Sequence, residues 1–160
     1  MASPVGKFLA APVAGFRGDV VALGAVVASA ILMILSGLVH IHLWDIAYRH
    51  VATLGPLFMV QAIAALVLAV VLVVARAVVV ALACIALMLG TLVGFILADT
   101  VGIFGFTLPV VTGWAYDALI TEGLSAVILA VLVRRAWKTA RWADGAAPGQ
   151  RVARGMANSA

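Results

Sequence analysis

Long apolar stretches separated by short polar clusters set the pattern of this chain. The first runs from Val20 to about Trp44, with nothing ionisable before His40. The next block, Leu57 to Ala98, is interrupted only by Gln61, Arg76 and Thr91. At about 1.5 Å per residue a single helix of that length would be about twice too long for the hydrocarbon core, so the block folds back at Ala75-Arg76-Ala77. A last stretch begins near Trp114 and ends at Val133, just before Arg134 and Arg135. Valine-rich runs such as Val70 to Val74 carry β-propensity, but an unpaired strand in lipid leaves its backbone groups unsatisfied, so helix prevails. The pattern predicts an all-α polytopic membrane protein, a four-transmembrane-helix bundle with spans over about 20–44, 56–75, 77–98 and 114–133.

Composition agrees. Hydrophobic residues make up 66% of the chain, charged residues 10%, and the mean hydropathy is +1.26. Soluble domains are about 45–50% apolar and about 25% charged, so a soluble globular enzyme is excluded. One cysteine, Cys84, excludes a disulfide scaffold and reads as a packing residue in mid-span. The net charge of +4 is a topology signal: Lys7, Arg17, Arg76, Arg134, Arg135, Lys138, Arg141, Arg151 and Arg154 fall on one side, and only Arg49 on the other. That bias places both termini in the cytoplasm of a multi-pass cell-membrane protein. Residues 1–18 then form a cytoplasmic N-terminal tail rather than a signal peptide, residues 19–142 one transmembrane domain, and 143–160 a basic disordered tail. Trp44 and Trp114 sit where an outer aromatic belt belongs, and Trp137, Lys138, Arg141 and Trp142 suit anionic headgroups on the inner side. The expected partners are the lipid bilayer and a second membrane chain, another protein or a copy of this one; nucleic acid is not needed to explain the basic pI.

Polar residues are distributed unevenly along the membrane normal. Apart from the basic anchors and Asp19, the set His40, His42, Asp45, Arg49, His50, Asp99, Asp117 and Glu122 lies in the outer half or the outer loops, with Gln61 and Tyr48 beside it. Counting histidines as neutral, that side carries a net charge of −3. Eight residues past Trp114, Glu122 lies roughly 12 Å below the outer interface, where an isolated charge costs a few kcal/mol or more. It must face the bundle, satisfied by Gln61, a histidine or Arg49. Gln61 lies roughly 9 Å down, and His40 about one turn below the belt. His40 and His42 differ by about 200° in helical phase and face nearly opposite ways. A convergent site would therefore join His40 or His42 with Glu122 and Gln61, with Asp99 or Asp117 at its mouth.

The chemistry open to that set is limited. His-x-His with carboxylates offers zinc or copper ligands, so a divalent metal on His40, His42, Asp45 and Glu122 is the one cofactor to weigh. A bis-histidine haem lacks its second buried axial histidine. No nucleophile elbow, Walker loop, paired-Cys motif or zincin motif is present, and Ser29, Ser36 and Ser125 read as packing residues. The inner half supplies no stepping stones for a proton or ion relay, which disfavours a channel or pump acting alone. Gly90-x-x-x-Gly94 and Gly24-x-x-x-Ala28 are small-residue pairs suited to close helix approach, serving internal packing as readily as dimerisation. The segment Val101 to Gly113 resembles an apolar interfacial loop lidding the polar cluster.

His40-Ile41-His42-Leu43-Trp44, continuing through Tyr48-Arg49-His50-Val51-Ala52-Thr53-Leu54-Gly55-Pro56-Leu57-Phe58, resembles a signature of small four-span membrane proteins of actinobacteria, H-L-x-L-W followed by G-Y-R-x-I-P-T-I-G-x-L-F. Val101-Gly102-Ile103-Phe104-Gly105-Phe106 is similar to their V-G-L-F-G-F segment, and Glu122 stands where they tend to carry a glutamate. The likeness covers about residues 20–133 and departs at Ala47 and Ala52, where the group favours Gly and Pro. It implies the four-span fold, draws attention to Tyr48, Arg49 and Thr53, and brings no activity with it. The expectation is an accessory or binding protein with an outward-facing polar pocket built from His40, His42, Arg49, Gln61, Asp99 and Glu122. Metal handling from the outer side is the alternative.

Overall fold

Asp19 starts the first long helix by accepting a hydrogen bond from the Ala22 amide on its carboxylate, at 3.0 Å, which satisfies one of the free donors of a helix N-terminus. In the computed structural model, which describes residues 3–14, 19–105 and 113–157 (side chains to residue 140, that of Pro4 excepted), the architecture is helical, with no strand among the described residues. A short α1 spans Pro4–Ala10, and α2 spans Val20–Leu43. The latter continues into one π-helical turn over Trp44–Tyr48. Then come α3 (Leu54–Ala75), α4 (Val78–Thr100) and α5 (Gly113–Ala157). Four helical segments are long and apolar enough to cross a membrane: Val20–Tyr48, Leu54–Ala75, Val78–Thr100 and Gly113–Ala140. At 1.5 Å per residue even the shortest is about 33 Å long.

The fold-back predicted at Ala75-Arg76-Ala77 is present. Arg76 ends α3 in the left-handed conformation (φ 50°), and α4 starts two residues later. Other boundaries shift. α2 passes through Trp44 by widening to a π turn. α5 does not stop at Arg134, because a helix leaving the bilayer needs no change of backbone, only polar side chains. Its helical backbone runs to Ala157, across the segment whose composition reads as a disordered tail; alanine and arginine are strong helix formers. Of the lid expected over Val101 to Gly113, residues 106–112 lie outside the described residues, while Ile103 lines the cavity described below.

The long helices form a ring in which α2 packs on α3 and α5, and α4 packs on α5 and, least extensively, on α3. The core uses small residues (Ala22, Ala30, Ala65, Ala69, Ala81 and Ala126) with Met33, Leu72, Met88 and Leu129 filling between them. Gly37 marks a close approach of α2 to α3: a Cβ there would lie 3.3 Å from the Ala62 carbonyl oxygen. Large aliphatics face outward in mid-helix, among them Val67 at 54% and Val127 at 62% exposure, while Ser29, Ser36, His40, Glu122 and Ser125 are buried. Water would penalise that arrangement; a hydrocarbon surround accommodates it, because lipid tails are as apolar as the side chains they meet.

At the end of the bundle near the termini, here the proximal end, the N-terminal segment is docked. Beyond α1, the Val13 amide donates to Arg76 O (2.7 Å) and the Val78 amide to Ala11 O (2.9 Å). These bonds tie residues 11–13 to the α3–α4 turn, while Phe8 meets Trp137 edge to face at 4.8 Å. Val13 and Ala14 are buried. The distal end carries the α2–α3 connection and the end of α4.

Candidate functional site

Ser29, Ser36 and His40 lie seven and four residues apart, so they form one stripe along α2. Glu122 and Ser125, three apart, form the facing stripe on α5. All five side chains are buried. The Ser36 hydroxyl donates to Glu122 Oε1 at 2.8 Å, and the Ser125 hydroxyl reaches Ser29 O at 3.5 Å. His40 Nδ1 lies 2.9 Å from Ser36 O. A carbonyl only accepts, so Nδ1 carries a proton in this contact. That leaves Nε2 toward Glu122 Oε1, 3.8 Å away. A bare lone pair facing an ionised carboxylate in a dry bundle is unfavourable, so one proton shared by the two groups, as acid and imidazole or as carboxylate and imidazolium, keeps the pair neutral overall.

His40 also belongs to a second feature. A cavity of about 420 Å³ occupies the distal half of the bundle between α3 and α4, the pair of neighbours with the least contact. Leu57, Phe58 and Val60 wall it from α3, Leu87 and Phe95 from α4, and Gln61 and His40 contribute polar atoms. The Tyr48 ring stacks on Phe58 at 4.4 Å, and Phe58 meets the His40 imidazole at 5.2 Å. Gly90 and Gly94 line the same cavity, and a Cβ on either would meet nothing within 4 Å. Within the bundle, Gly90-x-x-x-Gly94 therefore hollows a groove instead of admitting a neighbouring helix of the same chain, which corrects the internal-packing half of that expectation and leaves the dimerisation half untouched. Gly24 likewise meets nothing, because which face of a helix meets a partner depends on its rotation in the bundle, which a four-residue spacing does not encode.

The residues singled out in the sequence separate accordingly. His40 and Glu122 are neighbours, and Gln61 shares the groove lining with His40. His42 faces away, as its phase requires, and packs on Trp114 with ring centroids 4.5 Å apart. Arg49 is exposed, 3.4 Å from Asp45, and donates through Nε to His50. Asp99 and Asp117 are exposed and outside the groove lining. Glu122 is satisfied by Ser36 and not by Gln61 or Arg49. Ser36 is the partner that sequence reasoning passed over; its position one turn before His40 was the available signal. Among the described residues no hydrogen bond joins a serine hydroxyl to a histidine nitrogen, so the serine and imidazole are not arranged as nucleophile and base. No group of three or more His, Cys, Asp or Glu is placed to hold a metal ion among the described residues. Of the four candidate ligands only His40 and Glu122 converge. Comparison with protein families, curated proteins and solved structures finds no match for this chain.

Proposed function

We propose that this chain is a non-enzymatic multi-pass membrane protein, an accessory or binding subunit, that holds a small apolar ligand in the groove between α3 and α4. The observation that carries this reading is the groove itself: about 420 Å³ of apolar and aromatic wall with His40 and Gln61 on its lining, the make-up of a ligand pocket. Both termini lie in the cytoplasm in this reading, because, among the described side chains, Lys7, Arg76, Arg134, Arg135 and Lys138 lie at the proximal end and Arg49 alone at the distal one. The groove then belongs to the outer leaflet.

Gly90→Leu tests it. The added side chain enters open space, so it should fill the groove without moving a helix. Wild-type protein in nanodiscs should retain an apolar compound above the bulk lipid background in native mass spectrometry, and Gly90→Leu should not. Equal retention in both would overturn the binding reading. The metal alternative has weaker support, since His40 and Glu122 supply two ligands where a zinc site takes three or four. Elemental analysis of protein purified without chelators is expected to find no metal lost on His40→Ala; about one ion per chain, lost with that substitution, would reverse the order of the two readings.

A further inference from the structure

We propose that the outward face of α5 at the proximal end, Arg134 and Lys138 with Val131 and Val127 behind them, is a binding site for one anionic phospholipid. The site is separate from the groove and stands whether or not the groove holds a ligand. Helical phase puts its residues together. Positions 127, 131, 134 and 138 follow one another at steps of four, three and four, the spacing of a single stripe. All four side chains are exposed, while Ser125, Leu129 and Leu132 on the opposite side of α5 are buried. The stripe therefore faces away from the bundle, two aliphatic residues followed by two cations. A phospholipid laid along it has the same order, acyl chain first and phosphate after it.

Depth comes second. Arg135 approaches Asp19, the residue that caps α2, at 3.9 Å. Arg134, its neighbour in sequence, thus stands level with the start of the apolar stretch of α2, and Lys138 lies one turn farther out, about 6 Å along the axis. The phosphates of a bilayer belong at this border between hydrocarbon and water. Trp137 flanks the stripe, exposed on one side and edge to face with Phe8 at 4.8 Å, at the level where amphipathic rings settle in a membrane.

Charge decides which lipid. Among the described side chains the proximal end holds Lys7, Arg76, Arg134, Arg135 and Lys138 against the one carboxylate of Asp19. Both oxygens of Asp19 are engaged, Oδ1 accepting from the Ala22 amide and Oδ2 facing Arg135. Arg134 and Lys138 have no hydrogen bond or ion pair among the described residues. Like charges four residues apart on a helix repel, and a phosphate lying against both removes that repulsion. A zwitterionic head brings an ammonium into the same positive field and loses part of the gain, so the complement is a head with net negative charge.

Native mass spectrometry of protein released from nanodiscs of phosphatidylcholine with a minor share of phosphatidylglycerol reads the lipid that each chain retains. Circular dichroism confirms that each variant is folded. Wild type should keep one phosphatidylglycerol in preference to phosphatidylcholine. Arg134→Gln should lower that preference about fivefold and Arg134→Gln/Lys138→Gln roughly thirtyfold, the weights of one and of two basic residues at a membrane surface. Arg76→Gln removes a proximal charge on the α3–α4 turn, off this face, and should leave the preference nearly unchanged. Equal retention of the two lipids by wild type overturns the proposal, as does a preference that survives in the double variant. A fall in Arg76→Gln as large as that in Arg134→Gln overturns the assigned face, since the field of the whole end would then hold the lipid. Displacement of the retained lipid by soluble glycerol phosphate overturns the lipid assignment in favour of a free phosphate.

Discussion

At the scale of single residues, the hydrogen bond from Ser36 to Glu122 has to be weighed against the cost of placing a carboxyl group in mid-bundle. Glu122 is 1% exposed, and its near polar neighbours are the Ser36 hydroxyl and His40 Nε2. If neutral hydrogen bonding is what this position supplies, an amide should replace the acid well. In Glu122→Gln the amide oxygen can take the place of Oε1 and keep the hydrogen bond from Ser36, so the expected loss of stability is below about 1 kcal/mol. Glu122→Leu strands a hydroxyl and an imidazole together and should cost about 2 kcal/mol. Ser36→Ala should cost about 0.5–1.5 kcal/mol, in the range of interhelical hydrogen bonds measured in membranes. Thermal unfolding in detergent ranks the three; equal losses for Gln and Leu would show that the charge, and not the hydrogen bond, matters at this position.

At the scale of elements, glycines separate contact from cavity. A Cβ on Gly37 would press at 3.3 Å on both the Ala62 carbonyl oxygen and Leu66 Cγ, whereas Cβ atoms on Gly24 and Gly90 meet nothing. Gly37→Val should therefore push α2 and α3 apart and cost about 1–3 kcal/mol, the usual penalty of overpacking. Gly24→Ala and Gly90→Ala should be neutral, or stabilising by up to about 1 kcal/mol through helix propensity. Unfolding midpoints that fall equally in all three variants would refute this division. The same glycines show where sequence reading stops. Helix number, the fold-back at Arg76 and the opposed directions of His40 and His42 follow from length, charge and the 100° helical step, all local quantities. Whether a small residue faces a neighbour or a void, and that Ser36 rather than Gln61 satisfies Glu122, depends on how each helix is rotated about its axis. In a chain apolar on nearly every face, hydrophobic periodicity does not mark that rotation. Docking of residues 11–13 onto the α3–α4 turn was hidden for a related reason, since its bonds are made by backbone amides and carbonyls.

At the scale of the whole molecule, the distribution of charge decides which leaflet the groove serves. Among the described residues the distal end has one basic side chain, Arg49, and it lies against Asp45; Lys7, Arg76, Arg134, Arg135 and Lys138 lie at the other end, where Arg135 also approaches Asp19 at 3.9 Å. Insertion follows the side richer in Lys and Arg, so the proximal end should remain in the cytoplasm and α3 and α4 should open their groove into the outer leaflet. Cysteine labelling on intact cells reads this directly. Cys84, buried between helices, is first replaced by alanine. In that background Arg49→Cys removes one side of an exposed ion pair worth about 0–1 kcal/mol, and it strengthens the charge bias rather than weakening it. Lys138→Cys lowers the proximal charge by one and leaves Lys7, Arg76, Arg134 and Arg135 in place among the described side chains. A membrane-impermeant maleimide should modify position 49 in intact cells and position 138 only after lysis. The reverse pattern would put the groove in the cytoplasmic leaflet, so that its ligand would have to be drawn from the inner side.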